Sequence, residues 1–353
     1  MTLLARRGKL SSTTLRPFLH LVTQLDLSGA SASLNLARAV ARAPHLSTLA
    51  VRGRLCDGLA ALLHAPALTA LDCSCSPRLS AEGLRLLAAA CPLLVSLCCA
   101  WCGALDSLDP AAALPELLCL DASSCPVREG LRWPPRLQRL LLGDCAALER
   151  AGGWPASLEQ LELSRCSVLA ALAHPFPPAL RELAAAGVPA AAGLAVAAAD
   201  CERLAWLDLS DSEAAAAPAS CRAALQSLLL EGCTAVELHA MPQLTVLSLS
   251  RAALAGEQWG RFALLPALAS LCLSHVAARD ADVGLLLAAC PALQRLDLSF
   301  CLLLTDAALE ETARHGRGLL LLRLYGCPLL SLPALRRLAA AAPHLRLLAP
   351  TSE

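Results

Sequence analysis

The sequence of 353 residues has no isoleucine, one lysine (Lys9), one asparagine (Asn35) and only 3% aromatic residues. Its 29 basic and 29 acidic residues cancel, which excludes the strong positive field of a typical nucleic-acid-binding chain. Charged residues make up 16% and hydrophobic residues 56%, the reverse of a disordered composition. No stretch of about 18 apolar residues is free of helix breakers, so we predict no membrane span.

Catalytic signatures are also missing. The sequence contains no phosphate-binding loop, no dinucleotide-binding glycine motif, no zinc-protease motif and no nucleophile elbow. Its eight histidines are scattered. We therefore predict that the chain is not an enzyme and needs neither a metal nor a cofactor.

The sequence has 18 cysteines in 353 residues. This cysteine content is below the roughly 8–10% that marks a disulfide scaffold. No secretory signal is visible near the start, so we expect reduced thiols in the cytoplasm or nucleus. Arg6, Arg7, Lys9 and Arg16 stand among hydroxyl residues with no acid before Asp26, a pattern also typical of a mitochondrial transit peptide. A plain N-terminal cap is the alternative.

A nine-residue frame, Leu-x-x-Leu-x-Leu-x-x-Cys, recurs along the chain. Clear copies start at Leu94, Leu117, Leu137, Leu158, Leu225, Leu293 and Leu319. Degenerate copies start at Val22, Leu46, Leu68, Leu180, Leu204, Leu244, Leu268 and Leu345. The fifteen copies start 19 to 26 residues apart, and 29 of the 30 first and fourth positions are leucine. Frame and spacing match the leucine-rich repeat, whose period is about 20–29 residues.

The frame also predicts the architecture. Side chains alternate along a short strand, so the fourth and sixth positions face one side and the third and fifth the other. Stacked repeats turn the leucine columns into a continuous core. We predict an α/β leucine-rich-repeat solenoid, a horseshoe with a concave parallel sheet of about 15 strands. Residues 1–21 are predicted to form an N-terminal cap, and residues 22–353 the repeat domain, with its last copy as a C-terminal cap.

The convex side is predicted to be mixed. Helical patterns cover Leu34–Arg42, Ala81–Ala90, Asp280–Ala289, Thr305–Arg314 and Pro333–Ala341. The short middle repeats instead carry Trp133-Pro-Pro135, Trp154-Pro155 and Pro175-Phe-Pro-Pro178. Because proline removes a donor and blocks helix formation, we expect extended or 3₁₀ segments there, with Trp133, Trp154 and Phe176 packed inside.

Seven cysteines occupy the ninth position, where the chain turns off the strand. Many leucine-rich repeats place asparagine there, and a buried thiol can replace it as a weaker hydrogen-bond donor. Cys99-Ala-Trp-Cys102 has the spacing of a redox or zinc half-site, but the frame explains both cysteines as inward-facing. Cys98, Cys119 and Cys272 are expected to face solvent.

The concave column of fifth positions is acidic, with six acids and one arginine for a formal charge of −5. At the third position Arg139, Glu182 and Arg295 add a net +1. An acidic inner face suggests a basic segment as the ligand. The alternative is that Leu-Asp-Leu-Ser is a common sequence in such repeats, because an exposed strand position tolerates aspartate whatever binds there.

Exposed aromatic and arginine side chains are better markers of a protein interface. The frame predicts two clusters on the concave side or its rim, one of Trp206 with Glu182 and Asp208, and one of Arg295, Asp297, Phe300, Arg323 and Tyr325. Trp101 is also expected at the rim. The predicted protein-binding residues are Asp72, Asp121, Arg139, Glu162, Trp206, Asp208, Arg295, Asp297, Phe300, Arg323 and Tyr325.

The segment from Cys290 to Leu309, with its Cys-Pro-x-Leu entry, turn cysteine Cys301 and Leu-Thr-Asp-x-x-Leu helix start, resembles the cysteine-containing repeat of F-box/leucine-rich-repeat proteins. Residues Pro92 to Cys102 resemble it as well. The resemblance implies substrate recognition for a cullin-RING (SCF-type) ubiquitin ligase. The F-box itself is not visible, because residues 1–21 show no such helical pattern, so ligase subunits are expected only if an F-box is supplied.

The predicted function is therefore non-catalytic protein binding, with no nucleic acid and no membrane as partner. A free-standing adaptor or scaffold outside ubiquitination, in the mitochondrion if the N-terminus is cleaved, is the alternative.

Overall fold

The computed structural model describes residues 2–4, 19–28, 36–172, 175–189, 201–212, 214–215 and 217–349. The chain divides into two compact units, Met1–Leu180 and Arg181–Glu353, called here the N-terminal and C-terminal units. The sequence prediction of one repeat domain over residues 22–353 stays a prediction. Each unit contains a parallel sheet of three-residue strands, one strand per repeat.

Eight strands, among the described residues, form the main sheet of the N-terminal unit. They are Thr2–Leu4, Gln24–Asp26, Thr48–Ala50, Ala70–Asp72, Ser96–Cys98, Cys119–Asp121, Arg139–Leu141 and Gln160–Glu162. The first strand lies inside the predicted cap and pairs with the second, Leu3 opposite Leu25. That strand was not predicted.

The C-terminal unit also has eight main-sheet strands in its described part. They are Glu182–Ala184, Trp206–Asp208, Ser227–Leu229, Val246–Ser248, Ser270–Cys272, Arg295–Asp297, Leu321–Arg323 and Arg346–Leu348. The fourth-position leucines are in register from Leu183 to Leu322 and are almost completely buried. The predicted frame of the last copy is wrong by one residue, because Leu347, not Leu348, pairs with Leu322.

The helical backs follow the prediction closely. The described residues contain α-helices at Leu36–Val40, Asp57–Leu62, Ala81–Ala90, Asp280–Ala289, Asp306–His315 and Leu332–Ala341. The predicted start of the first helix, residues 34–35, lies outside the described residues. The helix at Asp57–Leu62 was missed, since its six residues are too short to show a clear period. Helices of 3₁₀ type span Leu19–Leu21, Asp109–Ala113 and Gly256–Leu264.

Consecutive helices are joined by a recurring clamp at their first residues. Asp57 accepts hydrogen bonds from the backbone N–H and hydroxyl of Ser80, the residue that caps the next helix, at 2.9 and 2.6 Å. Asp280 holds Thr305, and Asp306 holds Ser331, in the same way. The Ser331 hydroxyl and N–H lower the pKa of Asp306 below its usual value. Each clamp fixes the spacing between two helices.

The proline-bearing repeats have extended backs, as predicted. The two-residue strands Glu129–Gly130, Arg150–Ala151 and Ala171–Leu172 form a second parallel sheet in the N-terminal unit. In the C-terminal unit Ala214–Ala215 pairs with Ala235–Val236.

An aromatic stack lies beside the second sheet of the N-terminal unit. The rings of Trp133 and Trp154 are parallel with centroids 6.0 Å apart, and Phe176 lies 5.7 Å beyond Trp154. The indole N–H of Trp133 donates to the carbonyl of Gly152 at 2.7 Å. These three residues are packing residues, as the sequence predicted.

Candidate functional site

The third and fifth positions of the strands form one side of each sheet, called here the open face. From Gln24 onwards their side chains are exposed or half-buried in both units, apart from Ala184 and Ser248. Cys98, Cys119 and Cys272, predicted to face solvent, are half-buried on this face. All eleven predicted binding residues lie in strands or in the turns that follow them.

The six acids of the fifth-position column share one local bond. Each carboxylate accepts a hydrogen bond from the backbone N–H two residues later, at 2.9 to 3.1 Å. The acids are Asp26, Asp72, Asp121, Glu162, Asp208 and Asp297. Short acidic side chains commonly brace a turn in this way. One oxygen of each acid therefore has a structural role. This agrees with the alternative that Leu-Asp-Leu-Ser is a sequence common to such repeats.

Asp72 and Asp121 make further contacts on the open face of the N-terminal unit. Asp72 accepts from the Ser74 hydroxyl at 2.7 Å and from Arg52 Nε at 2.5 Å. Partial burial raises the pKa of Asp72, but the hydrogen bonds from Ser74 and Arg52 outweigh burial and lower it below 3.8. Asp121 accepts from the Ser123 hydroxyl at 2.8 Å and contacts the Cys98 thiol at 3.6 Å.

Arg139 and Glu162 lie on neighbouring strands of the same face. Arg139 donates from Nε to the side-chain oxygen of Gln160, and Glu162 braces the N–H of Ser164 at 2.9 Å. In the C-terminal unit, the register pairs Glu182 with Trp206, and Asp208 follows on the same strand. The structure therefore brings the first predicted cluster together.

The second predicted cluster also assembles, near the end of the C-terminal unit. A shallow depression of about 250 Å³ is lined by Ser270, Leu271, Cys272, Arg295, Leu296, Asp297, Leu321 and Arg323. Arg323 Nη1 lies 3.5 Å from Asp297 Oδ2. The Phe300 ring stacks on His275 with centroids 4.4 Å apart and planes 7° from parallel.

The eighth position of the frame has a property that the sequence reasoning missed. Thirteen repeats in succession hold this residue in the left-handed region, with φ between 56° and 71°. The residues are Gly53, Cys75, Trp101, Ser124, Asp144, Arg165, Gly187, Asp211, Gly232, Arg251, His275, Phe300 and Gly326. Side chains in this column reach one another, as in the double hydrogen bond of Arg165 to Asp144 at 2.6 Å. Glycine in four of the copies was the available signal.

The ninth-position thiols form a ladder in the core. Each donates to the carbonyl of the sixth-position residue one repeat earlier, at 3.2 to 3.6 Å. The seven are Cys102, Cys125, Cys145, Cys166, Cys233, Cys301 and Cys327. Burial raises the pKa of Cys125, Cys166 and Cys301 to about 12, so these thiols stay protonated donors. The predicted role of the turn cysteines as hydrogen-bond donors to the backbone is confirmed.

The Cys99 and Cys102 pair has the same structural explanation. Both side chains are fully buried, and Cys99 donates to the carbonyl of Asp121 at 3.4 Å. Burial raises the pKa of both thiols. Within the described residues no group of three or more His, Cys, Asp or Glu is placed to hold a metal ion. No described helix is long and apolar enough to cross a membrane.

No protein-family model matches the chain, and no curated protein matches it. The crystal structure of an internalin from Listeria monocytogenes is similar, with a TM-score of 0.54 and 15% sequence identity over 96% of this chain and 89% of the other. The crystal structure of the leucine-rich-repeat domain of APL1B has a TM-score of 0.50 and 18% identity over 99% and 95% of the two chains. At these identities the likeness concerns the fold alone: this chain folds as an α/β leucine-rich-repeat solenoid.

Proposed function

We propose that this chain is a non-catalytic protein-binding module that uses the open face and the adjoining eighth-position column. The observation that carries the proposal is the exposure of large aromatic side chains at the turns: Trp101 is 65%, Phe300 44% and Tyr325 42% exposed. They stand on strands and turns fixed by ladder hydrogen bonds, so little ordering cost remains on binding. Exposed aromatic and arginine side chains usually carry most of the energy of a protein interface.

We propose substrate recognition for a cullin-RING ubiquitin ligase as the context. The resemblance of Cys290–Leu309 to the F-box/leucine-rich-repeat family supports it. A free-standing adaptor is the second candidate. A reducing cytoplasm or nucleus suits both, since the thiol ladder donates hydrogen bonds only while its cysteines are reduced.

Affinity purification of the tagged chain from cells tests the proposal. The variant Trp101→Ala/Phe300→Ala/Tyr325→Ala, which changes the turns adjoining the open face, is expected to lose its protein partners. The control Leu62→Ala/Leu285→Ala/Leu332→Ala removes equally exposed side chains from the helical backs and is expected to keep them. Equal recovery with both variants would refute open-face binding. Ligase subunits in the wild-type eluate favour the first context, and their absence favours the adaptor.

The acidic strands of the N-terminal unit are proposed to take a basic segment. Charge reversal would also break the turns, whereas Asp→Asn keeps an acceptor oxygen and removes only the charge. We expect Asp72→Asn/Asp121→Asn to weaken a partner bound there by about tenfold at low salt. Unchanged binding would assign these acids to the turns alone.

A further inference from the structure

The last four strands of the C-terminal unit differ in sign from the acidic column. Their third and fifth positions carry Arg295, Arg323 and Arg346 against a single acid, Asp297, for a formal charge of +2. Two of the arginines line the depression described above. A surface of this sign attracts carboxylates rather than basic side chains.

The two depression-lining arginines are available to a ligand. Arg295 is exposed and makes no ion pair with a described residue. Arg323 is 49% exposed, and its contact to Asp297 at 3.5 Å is long for an ion-pair hydrogen bond. Asp297 also accepts from the Ser299 N–H at 2.9 Å. The register puts Arg295 opposite Leu321 and Arg323 opposite Asp297, so the two guanidinium groups come from adjacent strands.

An aromatic shelf, His275 and Phe300, lies in the turns that follow two of the strands lining the depression. His275 and Phe300 stack in parallel, and the Phe300 ring lies over Gly326, where a β-carbon would come within 2.4 Å of it. Tyr325 lies in the turn two residues after Arg323 and is 42% exposed. Such a shelf offers a fixed apolar surface at the end of the strands that carry Arg295 and Arg323.

Ser299, two residues after Asp297, differs from its counterparts in two other turns. Ser299 is 5% exposed, and its Oγ has no hydrogen-bond partner among the described residues. The equivalent serines Ser74 and Ser123 donate their hydroxyls to their own aspartates at 2.7 and 2.8 Å. Asp297 therefore braces its turn through the Ser299 N–H alone, one bond fewer than Asp72 or Asp121 makes within its own turn.

We infer that this part of the open face binds an acidic peptide segment of a partner protein. A carboxylate of the segment lies between Arg295 and Arg323, and an aromatic or aliphatic side chain beside it packs on the His275–Phe300 shelf. The inference rests on the proposed function and names the partner chemistry of one region. Paired charge-assisted hydrogen bonds from arginine supply its specificity.

The experiment is selection of random twelve-residue peptides displayed on phage, with the full chain as bait. The test variant is Arg295→Ala/Arg323→Ala. The control variant Arg317→Ala/Arg336→Ala removes the same charge from an exposed turn and from the last helix. Wild type and control are expected to enrich peptides with Asp or Glu next to an apolar residue. A selected peptide, labelled for fluorescence anisotropy, should lose about tenfold in affinity on the test variant and less than twofold on the control.

Acidic peptides retained equally by the test variant, or a pool without acidic enrichment, overturn the inference. Basic peptides that are lost in Asp72→Asn/Asp121→Asn would leave the proposed function standing while this inference fails. Partner binding that survives every open-face variant removes both. Circular dichroism and urea unfolding of each variant confirm that the fold is intact.

Discussion

The open face of the N-terminal unit and the last four strands of the C-terminal unit share one backbone plan but use charge differently. In the N-terminal unit the third and fifth positions carry four acids and one arginine, a formal charge of −3, and every acid braces its own turn. In the last four strands the side chain of Arg295 makes no hydrogen bond or ion pair with a described residue. A charged group without a local partner is therefore the stronger evidence for a ligand on a repeat surface.

The backs of the two units differ as well. The N-terminal unit has an aromatic stack over short extended strands, whereas the C-terminal unit ends in three ten-residue helices. The leucine and cysteine columns are common to both. The repeat frame thus determines the strands, and the residues outside the frame determine whether the back of a repeat is helical or extended.

The largest expected effect concerns the backs. Phe176→Ala removes a fully buried ring from the aromatic stack and should lower the free energy of unfolding by about 3–5 kcal/mol. Urea denaturation measures the loss, and hydrogen exchange should place it first around residues 133–176. Phe262→Ala, a fully buried ring in the other unit, is the matched comparison. A loss below about 1 kcal/mol would show that the stack contributes little packing.

The structural use of the acids predicts the next effect. Asp121→Ala leaves the N–H and hydroxyl of Ser123 without their acceptor and should cost about 1–3 kcal/mol in urea unfolding. Asp121→Asn keeps an acceptor and should recover most of the stability. Equal losses in the two variants would mean that the charge of Asp121, not its hydrogen bonds, matters.

Acid pH should affect the N-terminal face next. The pKa of Asp72 is lowered, because the bonds from Ser74 and Arg52 outweigh its partial burial, so its stabilisation is present above pH 3.8 and is lost as the pH falls below that value. Wild type should lose more stability than Asp72→Asn between about pH 5 and pH 2, by no more than about 1 kcal/mol. Thermal unfolding over this range measures the difference, and parallel curves would contradict it.

The smallest effect is expected at the cationic strands. Arg295→Ala should change the free energy of unfolding by less than about 0.5 kcal/mol, since the side chain is exposed and makes no ion pair with a described residue. The same urea measurement applies, with Arg336→Ala on the last helix as the control. A loss above about 1 kcal/mol would place Arg295 among the structural residues.

The sequence predicted the strands well because leucine at two fixed positions is dictated by burial. It predicted the helices at Ala81–Ala90 and Asp280–Ala289 to the residue, since each ends at a cysteine followed by proline. It missed the strand Thr2–Leu4 and shifted the last copy by one residue, because consecutive leucines at Leu347 and Leu348 fit two registers.

The candidate site was only partly readable. The alternation of side chains put Arg295, Asp297 and Arg323 on one face, and the structure agrees. The sequence could not show which charges are already bonded, because that depends on how each turn folds back. The prediction of an acidic inner face came from formal charges alone.

The left-handed eighth position also sets which substitutions this chain can accept. A β-branched side chain is strained at positive φ, and none of the thirteen residues in this column is valine, isoleucine or threonine. Glycine adopts this conformation without strain, and Gly187 has open space around a β-carbon, whereas a β-carbon at Gly232 or Gly326 would come within 2.4 Å of the side chain one repeat earlier. The backbone of this column is thus the same from repeat to repeat, so a single substitution there changes a surface contact without changing the fold of the repeat.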